Sequence, residues 1–161
     1  MAQIAQQPMS GTRFVYVIYI RTTAEKLWDA LTRPEFTRDY WAGTTQQSEW
    51  KKGASWKALT PDGRVWDTGE ILEVDRPHRL VLTWRNEHFP EMRAEGFTRL
   101  TYLIEPDGDT VKLTLTHEID INGSKLIEAV SSGWPAILAS LKSLLETGVS
   151  LEATRKWPEG L

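Results

Sequence analysis

Few residues of this sequence could act as an acid or a base in a buried site. His117 and Tyr102 each alternate in phase with the apolar residues of a predicted strand, so both are expected on its apolar face. There either side chain can transfer a proton or anchor a ligand hydroxyl or carbonyl. The alternative for His117 is an ordinary core histidine satisfied by one hydrogen bond, and this is the interpretation that we favour.

Other signatures of catalysis and metal binding are absent from the sequence. His78 and His88 fall in predicted loops, away from His117, so no metal site is expected. Asp67 and Glu70 lie on opposite faces of one predicted strand and therefore cannot form an acid–base pair there. The chain has no nucleophile elbow, phosphate-binding loop or zinc motif. We therefore predict no catalytic residue and no cofactor, and an enzyme is the less favoured class.

Tryptophan is the most unusual component, because the chain has eight of these residues, from Trp28 to Trp157. Large rings require large burial, so either the core is bulky or aromatic side chains line a cavity. Packing so many indoles tightly beside one helix is difficult without a void or a ligand. The candidate ligand-binding residues are Trp41, Trp66, Leu82, Trp84, Tyr102, His117, Val130, Trp134 and Leu138.

Short strands are predicted to position most of these residues. An aromatic and β-branched run predicts a first strand over 13–20, and a helix capped by Thr22 or Thr23 follows, then a short helix over 35–40. Further strands are predicted at 55–59, 65–74, 80–85, 97–105 and 111–119. Their alternating pattern indicates one packed and one solvated face, and the short turns between them indicate an antiparallel sheet. The polar stretch 86–96 is predicted as a solvated loop, with a lid over a cavity as the alternative.

The last element is predicted as a long helix over 125–147. Its apolar residues recur at steps of three and four, Asn122 or Ser124 supplies an N-cap, and Gly148 ends it. Such a helix spans about 34 Å, enough to cross the sheet, with a bend expected around Trp134. The predicted fold class is α+β: a curved antiparallel sheet wrapped around the long C-terminal helix, with two short helices at one end.

This order of elements resembles the START-like, helix-grip superfamily. Within it, the chain resembles the homologues of the activator of Hsp90 ATPase, on the stretches 23–35, 69–84, 109–117 and 132–148. The resemblance implies a deep hydrophobic pocket between the sheet and the C-terminal helix. Superfamily members carry lipids, sterols, polyketides or plant hormones there, and a minority catalyse cyclisation. The chain lacks the extra N-terminal domain of the longer chaperone activator, so a chaperone partner is not our expectation.

Composition limits the domain organisation and the partners. The expected organisation is a disordered N-terminal tail over 1–11, one domain over 12–150 and a C-terminal tail over 151–161, which as an alternative packs in a homodimer. The chain has no cysteine, no secretory signal and no apolar run of roughly 18 residues, so a cytoplasmic protein without a membrane span is expected. A net charge of −3 with mixed signs disfavours nucleic acid as a partner.

The leading functional hypothesis is a small soluble binding protein. Its hydrophobic cavity would hold an apolar or aromatic small molecule, lipid-like or polyketide-like, with a stress-related role. One alternative is a cyclase or hydrolase that uses His117, Tyr102 or a pocket carboxylate. The other is an Hsp90-type interaction module with an exposed apolar patch.

Overall fold

The predicted elements are present in the predicted order, with one additional strand and one additional α-helix, in a computed structural model that describes residues 11–161. The predicted disorder of the N-terminal tail therefore lies, except at Gly11, outside the described residues. The additions are the short strand β2 and the helix α3, which lies in the stretch expected to be a loop. The elements are β1 Thr12–Ile20, α1 Ala24–Thr32, α2 Pro34–Tyr40, β2 Thr45–Ser48, β3 Ser55–Leu59, β4 Val65–Asp75, β5 Arg79–Asn86, α3 Pro90–Ala94, β6 Thr98–Asp107, β7 Thr110–Ile119 and α4 Lys125–Thr147.

The seven strands form one antiparallel sheet in the order β1-β7-β6-β5-β4-β3-β2, which confirms the predicted fold class. Two register shifts interrupt it, one after Ala58 and one between Ile71 and Glu73. Gly69 allows β4 to approach β5 closely, since a Cβ there would lie 1.8 Å from the carbonyl oxygen of Thr83. Bulges and a close glycine contact bend a sheet, and this curvature lets it wrap around a helix.

Helix α4 covers the concave face of the sheet with its apolar stripe. Ser124 caps it, because its Oγ accepts a hydrogen bond from the backbone N–H of Ile127 at 3.1 Å. Gly148 ends it in the left-handed conformation, with φ at 83°, where glycine is favoured. The helix runs without a break through Pro135. The buried apolar side chains along it are Leu126, Ile127, Trp134, Leu138 and Leu141.

The C-terminal segment after α4 packs against the domain. The backbone N–H of Leu151 donates to Ser140 Oγ at 2.9 Å, and the N–H of Ala42 donates to the carbonyl of Thr154 at 2.7 Å. Arg64 Nη2 also donates to the carbonyl of Leu161 at 3.0 Å. Residues 151–161, expected to be a tail, therefore lie along the end of the sheet where β4 begins.

Helix α3 is attached to the first turn of α4 by Glu95. Its carboxylate accepts hydrogen bonds from Ser124 Oγ at 2.7 Å and from the backbone N–H groups of Lys125 at 2.6 Å and Leu126 at 3.4 Å. The unpaired N–H groups at a helix N-terminus favour a negative charge. Glu95 therefore holds the 86–96 segment against the long helix.

Replacing Glu95 by alanine removes this acceptor, and we expect the free energy of unfolding to fall by about 1–2 kcal/mol. Urea denaturation followed by tryptophan fluorescence measures the change. The matched control is Glu91→Ala on the same helix, whose carboxylate forms a solvent-exposed ion pair with Lys125 at 2.7 Å. We expect that control to have almost unchanged stability. Equal losses in the two variants would contradict the capping role of Glu95.

Candidate ligand-binding site

A cavity of about 220 Å³ lies between the middle of α4 and the adjoining ends of β4 and β5. Helix α3 and the C-terminal segment contribute to its rim. We call it the indole cavity, and its lining residues are Trp41, Thr44, Trp66, Asp67, Trp84, Asn86, Phe89, Met92, Leu126, Ala129, Val130, Gly133, Trp134, Ile137 and Trp157. A dry apolar cavity of about 150 Å³ can hold benzene, and drug-sized ligands fill about 300–1,000 Å³. A cavity of this volume therefore suits a group of about one or two rings.

The candidate residues from the sequence divide into two sets. The first set lines the cavity and consists of Trp41, Trp66, Trp84, Val130 and Trp134. The second set lies in the closed core, at most 1% exposed and outside the cavity wall, and consists of Leu82, Tyr102, His117 and Leu138. The structure therefore brings together the indoles expected to meet a ligand, while both polar candidates, His117 and Tyr102, lie in the core outside the cavity wall.

Three indoles form the inner wall in mutual contact. Trp41 lies on Trp84 with ring centroids 5.7 Å apart and on Trp134 at 5.1 Å, and Trp84 meets Trp134 nearly edge-on at 5.8 Å. Trp56 supports Trp84 from behind at 4.8 Å. Offset and edge-on contacts of this kind favour aromatic pairs beyond simple burial. The wall is therefore rigid, and its shape is set by elements from three parts of the chain.

His117 is hydrogen-bonded on both ring nitrogens. Trp134 Nε1–H donates to His117 Nδ1 at 3.2 Å, and His117 Nε2 lies 2.7 Å from Thr98 Oγ1. The Thr98 hydroxyl donates its one proton to the carbonyl of Trp84 at 2.8 Å, so it accepts from the imidazole. This pattern assigns the neutral tautomer with hydrogen on Nε2, and burial lowers the pKa of His117 to about 3. His117 is thus a core histidine as favoured from the sequence, but it is satisfied by two hydrogen bonds where one was expected.

Asp67 places a carboxyl group in the cavity wall. Asn86 Nδ2 donates to its Oδ1 at 2.9 Å, while Asn86 Oδ1 accepts from the backbone N–H groups of His88 and Phe89 at 3.1 and 2.9 Å. Burial raises the pKa of Asp67 to about 7, although the hydrogen bond from Asn86 and the approach of the Trp84 indole N–H to the carboxyl group oppose the rise. The carboxyl group is thus tied to the start of the 86–96 segment and exchanges its proton near neutral pH.

Two buried polar atoms in the same wall have no partner within the described part of the chain. They are Nε1 of Trp84, which approaches Asp67 without reaching hydrogen-bond geometry, and Oγ1 of Thr44. Buried donors and acceptors are nearly always paired in native proteins, with protein, water or ligand. The cavity wall therefore combines apolar side chains with a small set of polar atoms that are buried and unpaired among the described residues.

Sequence reasoning missed Asp67 and Trp157 as cavity residues. Asp67 lies four residues before Ile71 and shares its buried face, so strand phase was an available signal. Trp157 meets Trp66 edge-on at 4.7 Å, but it follows no periodic pattern that would have located it. Phe89 and Met92, named for a possible lid, do lie in the cavity wall.

A curved antiparallel sheet that holds a C-terminal helix over an apolar cavity defines the helix-grip class of START-like proteins. The family model described as "Activator of Hsp90 ATPase homolog 1-like protein" matches residues 21–146, and the chain belongs to this family. The family expected from the sequence is therefore confirmed. No helix within residues 11–161 combines the length and the apolarity needed to cross a bilayer. No protein with a curated description matches the sequence.

Several solved structures share this fold. Protein MLL2253 from Mesorhizobium loti is 22% identical with a TM-score of 0.71, over 84% of this chain and 97% of its own. The Aha1 dimer from Colwellia psychrerythraea is 17% identical with a TM-score of 0.66, over 85% and 98%. DynU16, described as a protein in the dynemicin biosynthetic locus, is 16% identical with a TM-score of 0.68, over 90% and 49%. At these identities the likeness shows the fold alone.

The raised pKa of Asp67 predicts a pH-dependent gain in stability for Asp67→Asn. The native pKa of about 7 lies above the ordinary 3.8, so ionisation costs stability as pH rises from about 4 to 7, and the cost persists above 7. We expect the variant and the wild type to be similar at pH 4, and the variant to be more stable by up to about 4 kcal/mol at pH 8.5. Urea denaturation at the two pH values measures this difference.

The control for this experiment is Asp109→Asn, at an exposed carboxylate in the turn between β6 and β7. Its stability relative to the wild type should not change with pH in the same direction. His117 is common to all three proteins, so its own titration cancels in the comparison. A stability difference for Asp67→Asn that is the same at both pH values would refute the raised pKa.

Proposed function

We propose that this protein binds a compact apolar or aromatic small molecule in the indole cavity. The observation that carries the proposal is the cavity itself, walled by indoles and placed between α4 and the sheet. Its volume and apolar lining suit one or two rings of a ligand. The description of DynU16 as a protein of a biosynthetic locus supports the finer hypothesis of a polyketide-like ligand.

An enzymatic role has less support in this geometry. A general acid or base needs a polar atom within hydrogen-bond reach of the substrate. Both nitrogens of His117 are engaged by Thr98 and Trp134, and neither His117 nor Tyr102 lines the cavity. Asp67 is a carboxyl group that does line it, without a second ionisable side chain beside it in the described wall. Binding is therefore the function that these contacts favour.

Filling the cavity tests the proposal. N-phenyl-1-naphthylamine, a neutral probe whose fluorescence rises in apolar surroundings, should bind the wild type with a saturable signal. Val130→Phe adds a ring to the wall, and we expect it to weaken this binding about tenfold or more because the cavity is small. The control is Ile121→Phe, an exposed position just before α4, which should bind like the wild type. Equal binding by both variants would place the probe elsewhere.

We propose second that two copies of the chain associate along β1. This strand forms one edge of the sheet, and three apolar side chains on its outer face, Val15, Val17 and Tyr19, are 45–50% exposed. Among the described strands only β7 pairs with β1, and a sheet edge with apolar side chains favours pairing with another strand. The Colwellia protein is described as a dimer, which supports the proposal. A chaperone partner remains a hypothesis from the family name alone.

Val17→Lys tests this association, because a buried lysine at a strand pairing would oppose it. We expect sedimentation equilibrium at micromolar concentration to show a dimer for the wild type and a monomer for the variant. Val65→Lys is the matched control, since Val65 is 43% exposed and lies on β4, away from β1. A wild type that is monomeric, or a dimer that persists in Val17→Lys, would overturn the proposal.

A further inference from the structure

The polar groups of the indole cavity are few and differ in chemistry. Among the described residues that line the cavity, Asp67 is the only one with an ionisable side chain. Asn86 is already engaged, because its amide donates to Asp67 and its carbonyl oxygen accepts from the start of the 86–96 segment. The groups that can still meet a ligand are therefore the second oxygen of Asp67, the indole N–H of Trp84 and the hydroxyl of Thr44.

Of these groups, the indole N–H of Trp84 restricts the chemistry of the ligand most. Trp84 is 4% exposed and its Nε1 has no hydrogen-bond partner among the described residues. An indole nitrogen can only donate, so its partner must be an acceptor. Leaving such a donor unpaired in a buried site costs free energy, and a ligand acceptor would recover it. A purely hydrocarbon ligand would leave this cost in place.

Asp67 adds a second donor in its protonated form. Its Oδ1 already accepts from Asn86, so the proton lies on the other oxygen, and Trp84 Nε1 approaches the same carboxyl group. We propose that the bound molecule carries a carbonyl-type oxygen that accepts hydrogen bonds from the indole N–H of Trp84 and from the protonated carboxyl of Asp67. This inference rests on the proposed function, because it names the class of ligand that the same cavity selects.

The charges of the cavity wall favour a ligand with a carbonyl oxygen over an organic cation. A cation would pair with ionised Asp67, and indole faces also attract cations. The face of the cavity that Asp67 shares with Trp84 presents an N–H hydrogen, which repels a cation and attracts a carbonyl oxygen. The pKa of Asp67, raised to about 7 by burial, keeps the donor form present at and below neutral pH. A carbonyl ligand therefore binds more tightly as pH falls, whereas a cation binds more tightly as pH rises.

The other charged groups near Asp67 lie outside the cavity wall. Glu87, which raises the pKa of Asp67 by its charge, is paired with Arg85 at 2.7 Å and Arg93 at 3.1 Å. His88 stacks on the outer side chain Trp66 with centroids 4.0 Å apart, and Arg64 lies 5.7 Å from the same ring. The lining residues of α4, of the turn after α2 and of the C-terminal segment carry no ionisable side chain. His88, which stacks on Trp66 in the cavity wall, therefore needs its own control.

Three naphthalene probes of nearly equal shape test the inference by isothermal titration calorimetry at pH 5.5 and 8.5. They are the ketone 2-acetylnaphthalene, its isosteric hydrocarbon 2-isopropenylnaphthalene and the cation N,N,N-trimethylnaphthalen-2-aminium. At pH 5.5 the ketone should bind about tenfold more tightly than the hydrocarbon, since two hydrogen bonds distinguish them. At pH 8.5 this preference should fall by about threefold or more, because Asp67 has lost its donor.

Variants separate the contributions of the two donors. Asp67→Asn keeps an N–H donor and an oxygen for Asn86, so the ketone preference should persist and lose its pH dependence. Asp67→Leu and Trp84→Phe should each reduce the preference by about threefold or more. His88→Gln should leave both the preference and its pH dependence unchanged. Thermal unfolding of each variant at both pH values establishes that it is folded, and Asp67→Asn provides the test if either larger change prevents folding.

The outcomes distinguish the inference from the function on which it rests. Equal binding of ketone and hydrocarbon at pH 5.5 would overturn the carbonyl assignment while leaving a ligand-binding cavity. Tightest binding by the cation, growing with pH, would also overturn it and assign the cavity to organic cations. Failure of all three probes to bind, together with failure of N-phenyl-1-naphthylamine, would refute both the inference and the proposed function.

Discussion

The hydrogen bond from Trp134 to His117 fixes how the long helix crosses the sheet. A neutral imidazole can be buried at low cost only when both nitrogens are paired. One nitrogen accepts from Trp134 on α4, and the other donates to Thr98 on β6, which in turn donates to the backbone of Trp84 on β5. Rotation of α4 about its axis would break the first link and leave a buried indole and imidazole unsatisfied. The phase of the helix, and hence its cavity-facing side, follows from this chain.

The cavity exists because rigid rings cannot close the remaining space. With Trp134 held by His117, Trp41 and Trp84 pack against it and against each other. Fused rings have only two side-chain torsions, so they cannot spread to fill the volume towards β4 as a leucine or methionine cluster would. That side is closed by two separate covers instead. One is the 86–96 segment, attached to α4 through Glu95, and the other is the C-terminal segment, which places an indole on Trp66.

How much of the fold and the cavity could be predicted depends on whether each sequence signal lies in adjacent residues or needs distant contacts. Strands with clean alternation and the helix with Ser124 and Gly148 at its ends were correct because period and caps are encoded in adjacent residues. Strand β2, with the polar sequence Thr45–Ser48, was missed, since its pairing with β3 determines it and its composition does not. Part of the cavity wall was predicted, because the excess of tryptophan indicated the indoles. The place of Asp67 in the wall depends on which strand ends meet. The place of Trp157 depends on contacts between residues far apart in the sequence.

His117 and Asp67 are two buried ionisable side chains with different roles in this structure. His117 and Asp67 are both removed from water, and each has its neutral form favoured by burial. His117 has every hydrogen-bonding atom paired within the protein, so it contributes to a single packing arrangement. Asp67 has one oxygen paired with Asn86 and lies beside an unpaired indole N–H at the wall of an open volume. Burying a carboxyl group beside an unpaired indole N–H costs folding free energy, and a bound oxygen that accepts from both groups would offset part of this cost.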